Sequence, residues 1–305
     1  MIMRIRNFED NLLAPKSVSR TVFVLLNTGL LSLFTVISIL PIVHILAMSL
    51  SDNTAVSAGR VGLWPVGFTF FSYEHIFRNQ AFLNSAGVSV LRVLLGVPIC
   101  MLCNICIAYP LSRPENQFPA RKIYVWVFLF TMLFSAGLVP TYMIVRTTGI
   151  YDTIWALLLP GAVSAFNMLI LMNFIRNLPA ELTEAAMIDG ASHTQILLMV
   201  VLPLSKAVLA TLVLFTFVQH WNSYFDGIIY INKRELKPMQ TYLQTILVRP
   251  DLARLDSEER INLFRINLRS LKAAQIFVTV TPILLVYPFL QQYFTKGIVL
   301  GSIKG

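Results

Sequence analysis

Between the fourth and fifth long apolar stretches of the chain lies Glu184-Ala185-Ala186-Met187-Ile188-Asp189-Gly190, with Leu202-Pro203 following it. The segment is too polar to cross a bilayer, because a transmembrane helix needs roughly 20 predominantly apolar residues. It is also too short to be a catalytic domain. A short amphipathic segment between two membrane spans is suited to docking onto a separate protein at the membrane surface.

The composition is that of a membrane protein. Of 305 residues, 56% are hydrophobic and 13% are charged, with a mean hydropathy of +0.70. Soluble domains average about 25% charged residues. A net charge of +9 would also fit nucleic-acid binding. The basic residues, however, lie between long apolar runs, as they do in membrane proteins. We therefore exclude nucleic acid as a partner and expect the lipid bilayer to surround the chain.

Six stretches are long and apolar enough to span a bilayer about 30 Å thick: residues 21–49, 81–109, 123–145, 154–174, 203–225 and 275–293. Prolines within or at the ends of these spans are expected to kink them. Most short-loop Lys and Arg residues fall on one side if the N-terminus is cytoplasmic. The sequence therefore predicts an all-α integral membrane protein with six transmembrane helices and both termini inside, N-in/C-in.

The expected organisation is a leader at residues 1–20, a transmembrane domain at 21–294 and a tail at 295–305. No small-residue cleavage site closely follows the first apolar stretch, so we interpret that stretch as a retained span and not a signal peptide. Within the domain, a cytoplasmic loop covers about 176–202 and an outer segment about 226–274.

The local chemistry of this cytoplasmic loop predicts a helix, a turn and a second helix. Asn177 is expected to cap the first helix and Pro179 to occupy its first turn. Gly190 would end it in a left-handed conformation, and a second helix would begin near Ser192. The three-four spacing places one thin face on the first helix, formed by Leu182, Ala185, Ala186 and Asp189.

The spacing of the motif resembles the cytoplasmic loop of permease subunits in bacterial ABC importers: Glu-Ala-Ala, three residues, Gly, nine residues, a β-branched residue, one residue, Leu-Pro. Val200 fills the β-branched position, where the family usually has Ile. The resemblance implies coupling to an ATPase subunit through Glu184, Ala185, Ala186, Asp189, Gly190, Leu202 and Pro203. The alternative is an ordinary interfacial loop with its acids in water.

The segments 81–85 and 108–113 and the end of the fifth span are similar to MalG-type carbohydrate permeases. This resemblance implies a bacterial cytoplasmic (inner) membrane location, a second homologous MalF-type permease and an extracytoplasmic solute-binding protein. It also implies two ATP-binding subunits, which would hold ATP and Mg. The chain has no Gly-x4-Gly-Lys-Ser/Thr loop, so we expect a transport subunit without a cofactor of its own, not an enzyme.

The C-terminal tail is similar to the tail of the same permeases, which reaches between the two ATPase subunits. The resemblance implies ATPase contacts from Gly301, Lys304 and Gly305. The alternative is a frayed terminus, which is the usual state of end residues.

The expected cargo is an oligosaccharide, since the likeness is greatest to permeases that import oligosaccharides, including uronate-containing ones. Residues assigned to its pathway are Arg92, Gln219, Trp221, Asn222 and Tyr224. Trp and Tyr also gather at membrane interfaces, and the polar groups would equally serve helix packing. Every carboxylate lies outside or at the edge of the spans. The positive charge of Arg92 must therefore be neutralised by a group on the other permease, by backbone carbonyls, by water or by a substrate carboxylate.

Three rival interpretations follow from other features. Cys100, Cys103 and Cys106 have the spacing of an iron–sulfur cluster motif. No fourth ligand lies nearby, however, and the neighbours are apolar, which fits small buried thiols in a helix. We therefore expect no metal site. An ion-driven secondary transporter would favour inverted repeats or unwound midplane helices, and a membrane enzyme would need a catalytic cluster. A permease for a different small solute remains the alternative within the same class.

Overall fold

The computed structural model describes residues 18–248 and 268–301, most of which are helical and none of which forms a β-strand. This confirms the predicted all-helical class. The α-helices are α1 Val18–Ser49, α2 Asn53–Ser57, α3 Phe71–Arg78, α4 Gln80–Ser112, α5 Arg121–Leu133, α6 Leu138–Thr147, α7 Trp155–Leu158, α8 Ala165–Arg176, α9 Ala180–Ile188, α10 His193–Gln195, α11 Leu202–Leu204, α12 Lys206–Asn222, α13 Phe225–Tyr230, α14 Met239–Val248 and α15 Leu268–Gly301. Leu159–Gly161 and Arg234–Leu236 are short 3-10 helices, and Ile196–Val201 form a π-helical turn.

Within the described ranges, three helices are long and apolar enough to cross a membrane: Thr21–Ser49, Gln80–Ser112 and Arg269–Pro288. Three further pairs of helices qualify when each pair is taken as one bent span. The bends are 113° between α5 and α6, 48° between α7 and α8, and 82° between the α10–α11 segment and α12. The apolar helices overlap the six predicted stretches. The breaks within α5–α6 and α7–α8 fall inside predicted stretches, whereas the third bend lies at Ser205, near the start of the predicted stretch 203–225.

The first two of these breaks have identifiable local geometry. Between α5 and α6 the backbone extends and passes through Gly137, whose φ is +86°. Pro140 lies in the first turn of α6, where its missing N–H has no intrahelical partner to lose. Pro160 lies in the 3-10 turn after α7, and Ser164 then begins α8 by accepting the Asn167 N–H at 3.3 Å. The two spans thus bend beside Pro140 and Pro160, but as breaks between separate helices and not as kinks within one continuous helix.

The chain divides into two compact units. The first comprises residues 1–73 and 262–277. In it, α1 is exposed along almost its whole apolar length, and a small core of Ala47, Ala55, Val56 and Val61 lies at its C-terminal end. Asp52 caps α2 by accepting the Thr54 N–H at 3.1 Å. The exposed apolar surface of α1 is the surface expected of a helix bounded by lipid or by another apolar helix.

The second unit comprises residues 74–261 and 278–305 and is organised around α4. Its core is a cluster of side chains from α4, α8, the π-helical turn and α12: Met101, Ala108, Leu111, Met168, Leu171, Met172, Ile175, Ile196, Val201, Val208 and Leu212. Between α8 and α12, the Asn167 side chain donates to Thr216 Oγ1 at 3.3 Å, a polar link typical of helix packing in membranes. Helix α4 thus lies at the centre of this unit.

The last helix is longer than predicted. The sequence placed its start at Gln275, whereas α15 begins at Leu268 and continues to Gly301. Hydropathy marks only the apolar middle of a helix, because polar turns at either end do not need to enter hydrocarbon. The leader residues 1–17, the part of the outer segment at 249–267 and the terminal residues 302–305, with Lys304 and Gly305, lie outside the described residues.

Candidate functional site

The segment from Pro179 to Ser205, here called the coupling segment, begins differently from the prediction. Asn177 does not cap α9; it ends α8, where its backbone N–H bonds to Phe174 O at 3.1 Å. Pro179 occupies the N-cap position of α9 and Glu181 its first turn. An acidic residue there interacts favourably with the helix dipole. Because Asn177 completes the preceding helix, its side chain is not positioned to cap the next one.

Helix α9 has one face on the core and one face exposed. Ala186 and Met187 pack against the apolar cluster around α4 and α8. Glu184, Ala185 and Asp189 are exposed. The predicted face is therefore wrong at Ala186, which packs on the core, whereas its other members Leu182, Ala185 and Asp189 are exposed. Consecutive helical residues differ by about 100° around the axis.

The most exposed apolar side chain of α9 was not identified from the sequence. Ile188 is 87% exposed, and Leu182 is 44% exposed on the same side of the helix. The spacing of Leu182, Ala185 and Ile188, each three residues apart, would have predicted this face. The outer surface of α9 is thus an apolar strip beside the carboxylates of Glu184 and Asp189.

Gly190 ends α9 in the left-handed conformation that the sequence predicted, with φ +80°. The Gly190 N–H bonds to Met187 O at 3.0 Å and the Ala191 N–H to Ala186 O at 2.9 Å. This pair of bonds is the Schellman arrangement, which satisfies the last carbonyls of a helix and requires positive φ at this position. The turn fixes the direction in which the chain leaves α9.

The second half of the coupling segment contains a widened helical turn. Ser192 caps α10 through a reciprocal capping box with Gln195. From Ile196 to Val201 the hydrogen bonds are π-helical, and the Leu202 N–H bonds to Leu197 O. Pro203 follows and has no N–H to donate, while its ring would clash with a carbonyl one α-helical turn earlier. We attribute the widened turn to Pro203, which gives the Leu-Pro pair a structural role.

A buried charge cluster surrounds Arg92 in the first half of α4. Arg92 is 3% exposed, and its Nη1 and Nη2 atoms both contact the carboxylate of Asp226. Nη1 also donates to Ser223 O at 3.2 Å, Nη2 to Leu157 O at 3.4 Å and Nε to His220 Nδ1 at 3.4 Å. Every N–H donor of the guanidinium thus has an acceptor within this chain.

This finding corrects the expectation that Arg92 has no carboxylate partner in its own chain. The sequence assigned Asp226 to the outer segment, because it follows the apolar run of α12. In the structure the chain turns at Ser223 and begins α13, so Asp226 comes to Arg92. A buried cation requires a nearby acceptor. That requirement could have identified Asp226 from the sequence, because it is the acid that directly follows the fifth predicted span.

The surroundings of the cluster are closely packed. His220 Nδ1 lies 3.4 Å from Arg92 Nε as its acceptor, and His220 Nε2 lies 3.5 Å from Cys100 Sγ. A Cβ on Gly96 would lie 2.7 Å from His220 Nε2, so this position of α4 has no room for a side chain. Helices α4 and α12 therefore approach each other at a glycine.

The other residues assigned to the substrate pathway separate into two groups. Trp221 is buried, and its Nε1 donates to Thr279 O at 3.0 Å. Gln219, Asn222 and Tyr224 are exposed, and they present amide and hydroxyl groups on the surface of the second unit. The structure brings Arg92 and Trp221 into the interior of this unit and leaves the other three exposed at its surface, where Asn222 Oδ1 accepts a hydrogen bond from Gln240 at 3.4 Å.

The cysteines do not converge on one point. Cys100 is buried, Cys103 is half-buried and Cys106 is exposed. Across residues 18–248 and 268–301 there is no group of three or more His, Cys, Asp or Glu side chains placed to hold a metal. Of the predicted tail contacts, only Gly301 lies within the described residues, as the last residue of α15.

The burial of the Arg92–Asp226 pair predicts a specific pattern of stability. Arg92→Gln and Asp226→Asn should each destabilise the protein by about 3–5 kcal/mol, because each leaves one buried charge without its partner. The double variant Arg92→Met/Asp226→Leu should lose less than the sum of the two. The measurement is thermal unfolding of the detergent-purified protein, followed by tryptophan fluorescence.

The matched control is Lys122→Gln, which breaks the exposed pair of Lys122 and Glu115 at 3.0 Å and should cost less than about 1 kcal/mol. Single variants that unfold like Lys122→Gln would contradict the structural role of the buried pair.

The comparisons with known proteins agree with one another. The model of the family described as binding-protein-dependent transport system inner membrane component matches residues 70–300. LplC of Bacillus subtilis (strain 168) is 37% identical over 269 residues, covering 88% of this chain and 90% of that protein. The polygalacturonan/rhamnogalacturonan transport system permease protein YtcP of the same organism is 38% identical over 283 residues, covering 93% and 98%.

A solved structure gives the same assignment. One chain in the crystal structure of a bacterial ABC transporter involved in the import of the acidic polysaccharide alginate superposes with a TM-score of 0.83 at 32% identity, over 91% of this chain and 98% of that one. These matches confirm the resemblance identified from the sequence. The chain belongs to the family of binding-protein-dependent transport system inner membrane components, and it is a permease subunit and not an enzyme.

Proposed function

We propose that the chain is the membrane-spanning permease subunit of an ATP-driven carbohydrate importer. It would pass an oligosaccharide from a solute-binding protein into the cytoplasm by alternating access. The observation that carries this proposal is the two-sided helix α9, with Ala186 and Met187 on the core and Ile188 exposed. Such a helix is able to transmit a force from an outside partner to the transmembrane helices.

The proposed membrane arrangement has six spans and both termini in the cytoplasm. The bent pairs α5–α6 and α7–α8 each count as one span, and α12 alone is the fifth span. The positions of the apolar helices and the distribution of Lys and Arg in short loops support it. The coupling segment then lies on the cytoplasmic side of the bacterial inner membrane. There it would meet one of two ATP-binding subunits, which hold ATP and Mg. A second, MalF-type permease would complete the cavity at the midplane.

Glu184 is the charged contact that we propose for the ATPase. It is exposed on α9 and forms no ion pair with any other residue that the structure describes. Beside it lie the exposed side chains of Ala185 and Ile188. An apolar strip with one acid at its edge fits a groove lined by apolar side chains with a basic residue at its rim. Asp189 would face the same partner.

Charge reversal at Glu184 should uncouple transport. Glu184→Lys would place a cation against the proposed basic residue, and loss of a desolvated interfacial charge pair costs roughly 2–5 kcal/mol. We expect the ATP-binding subunits to be lost from the purified complex while the permease stays in the membrane. Glu115→Lys, a charge reversal at another exposed acid, is the matched control and should keep them. Normal uptake in Glu184→Lys at wild-type membrane levels would refute the coupling role.

The turn at Gly190 should tolerate only residues that accept positive φ. Gly190→Val should cost of order 1–3 kcal/mol through backbone strain at positive φ. A clash does not contribute to this cost, because a Cβ at this position would have no atom within 4 Å. Gly190→Asn is the control, because Asn adopts the left-handed region more readily than other residues. Co-purification of the ATPase should fall for Val and stay near wild type for Asn. Equal retention in both variants would show that the turn does not orient α9.

The cargo that we propose is an acidic oligosaccharide. The relative YtcP is described as a polygalacturonan/rhamnogalacturonan permease and the structural relative imports alginate, and both polymers carry carboxylates. In this chain the guanidinium of Arg92 is already saturated by Asp226 and its neighbours. We therefore withdraw Arg92 as a contact for a sugar carboxylate. The exposed groups of Gln219, Asn222 and Tyr224 remain as pathway residues, and they suit sugar hydroxyls.

The cargo assignment is tested with the reconstituted complex and its binding protein. Oligogalacturonates should stimulate ATP hydrolysis more than neutral oligosaccharides of equal length. Asn222→Ala and Gln219→Ala should raise the half-maximal stimulating concentration about fivefold, the effect of losing about 1 kcal/mol of hydrogen bonding. Arg92→Gln should reduce stimulation by acidic and neutral cargo equally. Stimulation by a small non-carbohydrate solute alone would assign the chain to a different importer.

A further inference from the structure

The last turn of α4 contains a chain of hydrogen bonds that the proposed function does not yet explain. The sequence there is Ala108-Tyr109-Pro110-Leu111-Ser112-Arg113. The Arg113 guanidinium carbon lies 4.4 Å from the centroid of the Tyr109 ring, and Nη2 donates to Tyr109 Oη. The hydroxyl in turn donates to the backbone oxygen of His193 at 3.1 Å. The directions are fixed, since a guanidinium only donates and a carbonyl only accepts.

The two ends of this chain belong to different functional parts. His193 is the first residue of α10, directly after the Ser192 cap, and lies within the coupling segment. Tyr109 and Arg113 lie at the end of α4, which is connected to the coupling segment only through other helices along the sequence. Tyr109 also packs against the apolar cluster that Ala186 and Ala191 contact. The hydroxyl therefore ties the coupling segment to α4 by a direct, non-covalent contact.

Helix α4 extends from this contact to the buried charge cluster. It has 33 residues, which corresponds to about 50 Å at the usual rise of an α-helix. Arg92 lies 17 residues before Tyr109 on this helix (109 − 92), about 25 Å at the usual rise. It bonds to groups within α7, at the end of α12 and at the start of α13: Leu157 O, His220, Ser223 O and Asp226. Helix α4 is continuous between Tyr109 and Arg92, with Pro98 between them, and it therefore links the Tyr109 contact physically to all three of these helices.

We propose that Tyr109 and Arg113 are positioning residues that carry the movement of the coupling segment directly to α4. Tyr109 holds the His193 carbonyl, and Arg113 orients the Tyr109 ring and polarises its hydroxyl through a charge-assisted hydrogen bond. Without this tether, movement of the coupling segment reaches the transmembrane helices through the covalent connections to α8 and α12 and through the apolar packing of Ala186 and Met187. The inference rests on the proposed coupling function, and it adds a route through α4.

Tyr109→Phe tests the tether, because it removes the hydroxyl and keeps the ring on the apolar cluster. The complete complex, with its ATP-binding subunits, is purified, reconstituted and supplied with binding protein and a trigalacturonate probe. We expect the ATP-binding subunits to stay bound and the amount of probe transported per ATP hydrolysed to fall about fivefold, the equivalent of one hydrogen bond of about 1 kcal/mol. Arg113→Met should have a smaller effect in the same direction.

Two control variants separate this contact from general effects. His193→Ala keeps the backbone oxygen that Tyr109 binds, so transport per ATP should be unchanged. Tyr124→Phe removes the hydroxyl of a half-exposed tyrosine that stacks on Phe118 with ring centroids 5.7 Å apart, and it should also be silent. A loss in either control equal to that in Tyr109→Phe would overturn the proposal.

A second measurement does not depend on the cargo. In the absence of binding protein and sugar, Tyr109→Phe should raise basal ATP hydrolysis about fivefold, because closure of the ATPases no longer has to displace α4 through the tether. If the wild-type complex fails to transport trigalacturonate, the proposed cargo is wrong. The basal rates of ATP hydrolysis of the wild type and Tyr109→Phe still test whether the tether exists. Unchanged basal hydrolysis, or loss of the ATP-binding subunits from Tyr109→Phe, would refute the positioning role.

Discussion

The buried guanidinium of Arg92 sets the constraint on which the second unit depends. A cation removed from water is tolerated only when its charge is neutralised and its donors are satisfied. Here one carboxylate, two backbone carbonyls and one imidazole surround it, and they come from Leu157 and from the stretch His220–Asp226. Satisfying Arg92 therefore requires α4, α7, α12 and α13 to meet at one place. The same requirement fixes the turn at Ser223 and the close approach of His220 to Gly96.

Helix breaks inside apolar stretches are the second feature that shapes this protein. Lipid cannot hydrogen-bond a free N–H or carbonyl, so a helix may be interrupted only where the protein supplies partners. The bend before α8 is closed by the Ser164 side chain. At Ser205, the backbone N–H bonds to both Val201 O and Leu202 O. These breaks leave α4 as the continuous apolar helix at the centre of the second unit.

The coupling segment joins these features to the outside of the molecule. Its first helix is held by Ala186 and Met187 on the core, by the Gly190 turn at one end and by the Tyr109 hydroxyl through His193. An isolated helix of nine residues is unstable in water, so this packing is what keeps α9 ordered. The exposed strip of Leu182, Ala185 and Ile188 is thereby presented on a rigid support, which is the arrangement that a docking surface needs.

The sequence alone predicted the class of protein, the positions of the apolar stretches, the family and the left-handed glycine at Gly190. Each of these depends on local composition, on spacing along the chain or on the conformational freedom of one residue. The tertiary structure alone decided which side of α9 faces the core, where the long spans break and which acid neutralises Arg92. Asp226 lies far from Arg92 along the chain, and no periodicity links them. The pairing exists because several helices pack together and a buried charge takes the nearest available acceptor.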